Sequence, residues 1–217
     1  MSVIVLPLRP AIRETNPRLA IAGSVYFLCL SIAFIFVEIG LLQRLSVFLG
    51  HPIYSLSIVL FSIILFTGLG SLASERWGLR SDREFIIWAG LLAGYIAILP
   101  MWLSGLLAAI ESSSILARAA TAVAIIAPAG LLMGFGFPTG MRMVMKQSPK
   151  PAPWFWGING AAGVLGSVMA VAVSITFGIK VTLVVGALFY TALVPAAIAL
   201  RMQSKVQVGG EVAREAS

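Results

Sequence analysis

Glu38 is the only carboxylate inside a long apolar stretch of this chain, and an ionisable group in such a place is costly unless it is functional or paired. Two chemistries suit it. As a ligand it would hold a proton or a small cation. As a structural anion it would pair with Arg44 or Arg118 and tie helix ends together. Gln43, Arg44, His51 and Arg118 fall at the ends of apolar runs on the side where Glu38 lies. Ser24, Ser31 and Glu38 recur every seven residues, so on a helix they form one weakly polar stripe. Asn159 is a second candidate, with Ser167 and Ser174 near its face, in the pattern of interhelical hydrogen bonds.

Conventional catalysis finds little here. The sequence offers no acid–base pair, no nucleophile with a base and no metal-ligand cluster. Cys29 is the sole cysteine and His51 the sole histidine, so neither disulfides within the chain nor a multi-histidine metal site can form. No cofactor is implied, and an enzyme acting alone is the least favoured class.

The elements that must position these residues follow from composition. Hydrophobic residues make up 59% of the 217 and charged residues 11%, against about 25% charged in soluble domains. So little polar surface points to lipid as the solvent. The net charge of +7 lies between apolar runs, where it orients helices rather than binding nucleic acid.

A membrane span takes about 20 apolar residues. Six stretches qualify: about 19–42, 54–73, 85–103, 118–137, 154–174 and 181–200. They lack the alternation of barrel strands, so the expected fold is all-α, a polytopic bundle of about six spans. Residues 1–18 are basic and proline-punctuated, and the run after them reads as a retained first span rather than a cleaved signal. The domains are then an N-terminal segment, 1–18, a membrane domain, 19–200, and a polar tail, 201–217.

Lysine and arginine set the orientation. One set of loops holds twelve: Arg9, Arg13 and Arg18, then Arg76, Arg80 and Arg83, then Arg142, Lys146 and Lys150, then Arg201, Lys205 and Arg214. The other holds Arg44, Arg118 and Lys180. The positive-inside rule puts the first set, with both termini, in the cytoplasm. Trp88, Trp102, Trp154 and Trp156 fall at predicted helix ends, where an aromatic belt would sit.

Glu38 lies twenty residues beyond Arg18, about 30 Å along a helix, near the outer interface. Asn159 is about 8 Å into the fifth span from the opposite face. The two are expected not to meet.

Small residues supply the packing. Gly157, Gly160, Gly163 and Gly166 repeat every three residues on the fifth span, as a helix–helix seam or, less favoured, a groove for ligand. The fourth span carries Gly130 and Gly134, then Gly136, Pro138 and Gly140, with Pro128 in its middle, and should kink or break near its basic end. In the connector SLASERWGLR, 71–80, Glu75, Arg76 and Arg80 around Gly78 can latch helix ends by ion pairs.

Three stretches carry a resemblance: VEIGLLQRLSVFLGHPIYSLSIVLFSIILFTGLGS (37–71), MGFGFPTGMR (133–142) and WGINGAAGVLGSVMA (156–170). Together they resemble the membrane region of fused bacterial proteins bearing a spermidine-synthase-like, aminopropyltransferase-like domain. The resemblance spans about residues 19–200 and implies a multi-pass protein of the bacterial inner membrane. It carries over Glu38, Gln43, Arg44, Gly50, His51, Pro52, Pro138, Gly140, Asn159 and Gly160 as motif positions, without roles. The soluble Rossmann part has no counterpart here, because no strand–GxGxxG–helix unit is present. SERWGLR also resembles the charged loop of the major facilitator superfamily, in the matching position, with Gly70 displaced by one and Glu75 in place of the usual aspartate. Six spans equal one half of such a transporter.

Two functions are expected on these grounds. One is a non-catalytic membrane module that assembles with protein partners, including a separately encoded spermidine-synthase-like subunit. The other is a half-sized transporter for a small cationic solute, working as a dimer.

Overall fold

The computed structural model describes residues 17–215, so most of the expected N-terminal segment, with Arg9 and Arg13, lies outside it. Among the described residues seven helices follow one another: α1 Pro17–Leu49, α2 Pro52–Arg76, α3 Asp82–Ile110, α4 Ile115–Met133, α5 Gly136–Met145, α6 Ala152–Phe177 and α7 Ile179–Glu215. With α4 and α5 taken as one broken span, Ile115–Met145, six helices are long and apolar enough to cross a membrane. The chain is an all-α, multi-pass bundle. Each helix overruns its apolar run, because a run measures lipid exposure whereas a helix continues until a cap or breaker stops it.

Those stops are readable. Ser81 caps α3 by accepting from the Glu84 amide at 3.1 Å, while the Glu84 carboxylate accepts from the Ser81 amide at 3.0 Å, a reciprocal capping box. Pro52 stands in the first turn of α2, where its missing N–H is harmless. Between α6 and α7 only Gly178 intervenes, at φ +90 and ψ 161. That region is essentially closed to residues with a Cβ. Gly178→Ala is therefore expected to cost about 1–3 kcal/mol, read as a lower thermal midpoint of the detergent-solubilised protein.

Helix α1 is the hub. Of its most apolar window 56% is buried, against 17% for α6 and 22% for α2, so the latter two lie at the periphery. The contacts give the helix directions. Gly163 and Gly166 of α6 meet Ser31, Ile32 and Ile35 of α1 in ascending order, so the two run parallel. Gly40 meets Leu183 and Gly186 meets Phe36 and Val37, so α1 and α7 are antiparallel. This is the up–down alternation that the charge pattern requires.

The fourth span breaks at Gly134 and Phe135, near its basic end as expected, while Pro128 sits inside an unbroken α4. Side chains from two other helices bond to backbone carbonyls beside the break. Tyr26 of α1 donates to the Gly136 carbonyl at 2.8 Å, and Trp88 of α3 donates to the Leu132 carbonyl at 2.8 Å. Trp88 thus corrects the belt assignment: it is 4% exposed and turned into the bundle by that bond. Trp102 and Trp156 are exposed, and Trp154 is half-buried, donating to the Ser24 hydroxyl at 3.1 Å. The tail also differs from a simple polar segment, since α7 continues through it to Glu215. Its root is tied down where Gln147 donates to the Leu200 carbonyl at 2.8 Å.

Candidate functional site

The candidate residues separate into three places. At the end away from most of the arginines, neither expected partner of Glu38 reaches it. Arg44 donates to the Ser104 hydroxyl at 2.7 Å, joining α1 to α3. Arg118 donates to the Phe48 carbonyl at 3.1 Å, closing the C-terminal turn of α1 from α4. Gln43 accepts from the Ser174 hydroxyl, joining α1 to α6. His51 is exposed and stands 5.1 Å from the Tyr54 ring. Helix ends are tied here as the ion-pair reading supposed, but hydroxyls, carbonyls and an amide tie them. Glu38 is half-buried, with no ion pair or hydrogen bond among the described residues. Glu38→Gln is accordingly expected to move stability by less than about 0.5 kcal/mol, whereas breaking a buried ion pair costs about 3–5 kcal/mol. Chemical unfolding of the two proteins in detergent distinguishes the cases.

At the opposite end, the connector after α2 makes a different latch from the one expected. Among the described residues Glu75, Arg76 and Arg80 form no ion pair. Instead Arg201 of α7 pairs with Asp82 at 3.3 Å and donates to the Leu79 carbonyl at 2.8 Å. Sequence spacing could not show this contact, because it joins residues more than a hundred positions apart.

The third place is a cleft of about 510 Å³ in the half of the bundle nearer the basic end. Helix α1 forms its floor with Leu30, Ser31, Phe34 and Ile35. Thr67 and Ser71 of α2 make one wall, and Trp156, Asn159, Gly160 and Gly163 of α6 make the other. Gly134, Phe137 and Pro138 close it at the break between α4 and α5. Two of the three resembling motifs therefore converge on one cavity with the C-terminal part of the third.

The glycine repeat divides its labour here. A Cβ on Gly163 would stand 3.0 Å from the Ser31 hydroxyl and one on Gly166 3.4 Å from the Ile32 backbone, so these two form the seam with α1. Gly160 is no part of that seam: nothing lies within 4 Å of a Cβ there. Gly157 is half-buried beside it. On the other wall, Gly130 and Gly134 let α4 lie against α2, with Gly70 facing them. The role of Gly70 in packing was not singled out in the sequence. Its signal was the pair of small residues flanking it, Gly68 and Ser71, on a helix otherwise rich in bulky side chains.

The cleft holds hydrogen-bonding groups and no charge. Ser31 spends its proton on the Asn159 main-chain carbonyl at 2.7 Å. The Asn159 carboxamide has no hydrogen bond among the described residues, and the Thr67 hydroxyl oxygen is buried without a partner. Glu38, one stripe position beyond Ser31, lies about 10 Å further along α1 and does not line the cleft. The cleft's lining offers shape and neutral hydrogen-bonding groups, Ser31, Thr67, Ser71 and Asn159, and no charged side chain. Among the described residues no three His, Cys, Asp or Glu side chains come together. Set against known proteins, the chain matches no family model, no curated protein and no solved structure.

Proposed function

We propose that the chain is a non-catalytic module of the bacterial inner membrane, both termini cytoplasmic, which works by assembling with a partner polypeptide through the cleft between α2 and α6. One observation carries this reading: two peripheral helices stand apart over α1 and leave an uncharged cleft walled by small residues, with an open glycine and an unpartnered buried hydroxyl. The occupant that suits it is a transmembrane helix of the partner. Gly160, with Ser71 on the facing wall, would let a second backbone approach, and the Thr67 hydroxyl and Asn159 carboxamide would bond across the interface, each for about 0.6–2 kcal/mol. The resemblance of the three motifs suits a partner with a separately encoded spermidine-synthase-like domain. Cysteines at Ser71 and Gly160 test the occupant. Cross-linking to a second polypeptide in native membranes supports the proposal, and cross-linking only to another copy of this chain, or to nothing, contradicts it.

A second reading has its own support. Glu38 is half-buried without a counter-charge, and the fourth span is broken, as in transporters with sites at interrupted helices. A dimeric half-sized transporter for a small cation would then use Glu38. Glu38→Gln should abolish uptake in proteoliposomes on that reading, and unchanged flux removes Glu38 from any mechanism.

A further inference from the structure

At the basic end lies a second cavity, of about 600 Å³, between the connector after α2, the C-terminal half of α5 and the start of the α7 tail. Four cations line it, Arg80, Arg142, Lys146 and Arg201, against two acids, Glu75 and Asp82. Asp82 is engaged by Arg201 at 3.3 Å. The remaining acid, Glu75, is exposed and makes no ion pair among the described residues.

Arg142 is the informative group. Its guanidinium donates to the Ser74 hydroxyl at 3.4 Å and the Thr139 hydroxyl at 3.1 Å, and both those residues are at most 1% exposed. Ser74 gives its own proton to the Ser71 carbonyl at 2.7 Å, so its oxygen is left to accept. Two neutral, buried hydroxyls therefore fix a half-buried cation that no carboxylate among the described residues neutralises. Arg44 and Arg118 also rest on neutral acceptors, but Arg142 does so in a cavity where cations outnumber acids. An arginine aimed by neutral acceptors, with Lys146 and Arg80 beside it, is arranged for an anion that comes from outside the chain, and the planar guanidinium fork matches phosphate oxygens.

We propose that this cavity binds a phosphate group. The anionic headgroup of a cytoplasmic-leaflet lipid and a free phosphate both present that chemistry, and basic pockets between membrane helices on this side suit such headgroups. This cavity shares no lining residue with the cleft.

The test uses the full chain in detergent with fluorescent short-chain phosphatidylglycerol, fluorescent short-chain phosphatidylcholine and inorganic phosphate. The wild type should prefer phosphatidylglycerol at least about tenfold, or bind inorganic phosphate outright. Displacement of phosphatidylglycerol by millimolar phosphate assigns the site to free phosphate, and resistance assigns it to the lipid headgroup. R142Q should erase the preference. The exposed pair R80Q/K146Q, which leaves the packed hydroxyls untouched, should lower it about fivefold per cation removed. K180Q, at the far end of the bundle, should leave it unchanged. Equal binding of both lipids with no phosphate binding overturns the proposal. So does an equal loss in K180Q, which would show that net charge alone is responsible.

Discussion

Gly134→Ala is expected to lower the thermal midpoint of the solubilised protein sharply, and Gly70→Ala to do the same from the facing helix. A Cβ on Gly134 would overlap the Thr67 carbonyl oxygen and lie 2.7 Å from the Ser71 amide nitrogen. One on Gly70 would overlap the Leu131 carbonyl and lie 2.9 Å from its carbon. These are backbone atoms, which cannot swing aside as a side chain tip can. Overfilling a packed contact costs about 1–3 kcal/mol, and rigid neighbours put both substitutions at the upper end. Gly68→Ala, two residues from Gly70 with nothing within 4 Å, is the control. It should be neutral or stabilising by up to about 1 kcal/mol, since alanine is the better helix former. Equal midpoints for all three variants would refute the α2–α4 contact. Because that contact holds one wall and the closed end of the cleft, Gly134→Ala should also weaken partner retention.

The fold was legible where one physical signal dominated. Apolar run length located six spans, and the arginine-rich and arginine-poor loops required the alternation seen in the helix contacts. The break near the basic end of the fourth span was legible from its glycines and prolines, and Pro128 itself lies inside the unbroken α4. A proline in lipid is readily absorbed within a helix, whereas the helix breaks at Gly134 and Phe135, with Tyr26 and Trp88 bonded to carbonyls on either side. Partner choice was not legible. Arg44, Arg118 and Arg201 each had several acceptors within plausible reach, and which one wins depends on helix rotation, which run length does not determine. The belt assignment of Trp88 failed for the same reason. Position along a helix predicts depth in the bilayer, but not whether a side chain turns inward.

The candidate site was half visible. Asn159 and the glycine repeat were recognised, and the structure brings them together with the MGFGFPTGMR break in a single cleft. Thr67 carried no signal, being one of several hydroxyls along α2 with nothing in its spacing to single it out. Glu38 drew the most attention in the sequence and lies outside the cleft.

The cleft yields the second large effect. Gly160→Leu places a bulky side chain where no described residue lies within 4 Å of a Cβ, on the open side of the cleft, so the bundle itself should be unharmed. Gly90→Leu does the same on α3, far from the cleft, and serves as its match. If a partner helix lies against Gly160, the added side chain should cost about 2 kcal/mol of association, roughly thirtyfold in affinity. The decisive measurement is therefore mass analysis of the complex after gentle extraction from native membranes, for the wild type, Gly160→Leu and Gly90→Leu. The proposed function predicts a second polypeptide that is retained by the wild type and by Gly90→Leu and lost from Gly160→Leu. A homogeneous monomer or homodimer from the wild type, or a partner held equally by all three proteins, would contradict it.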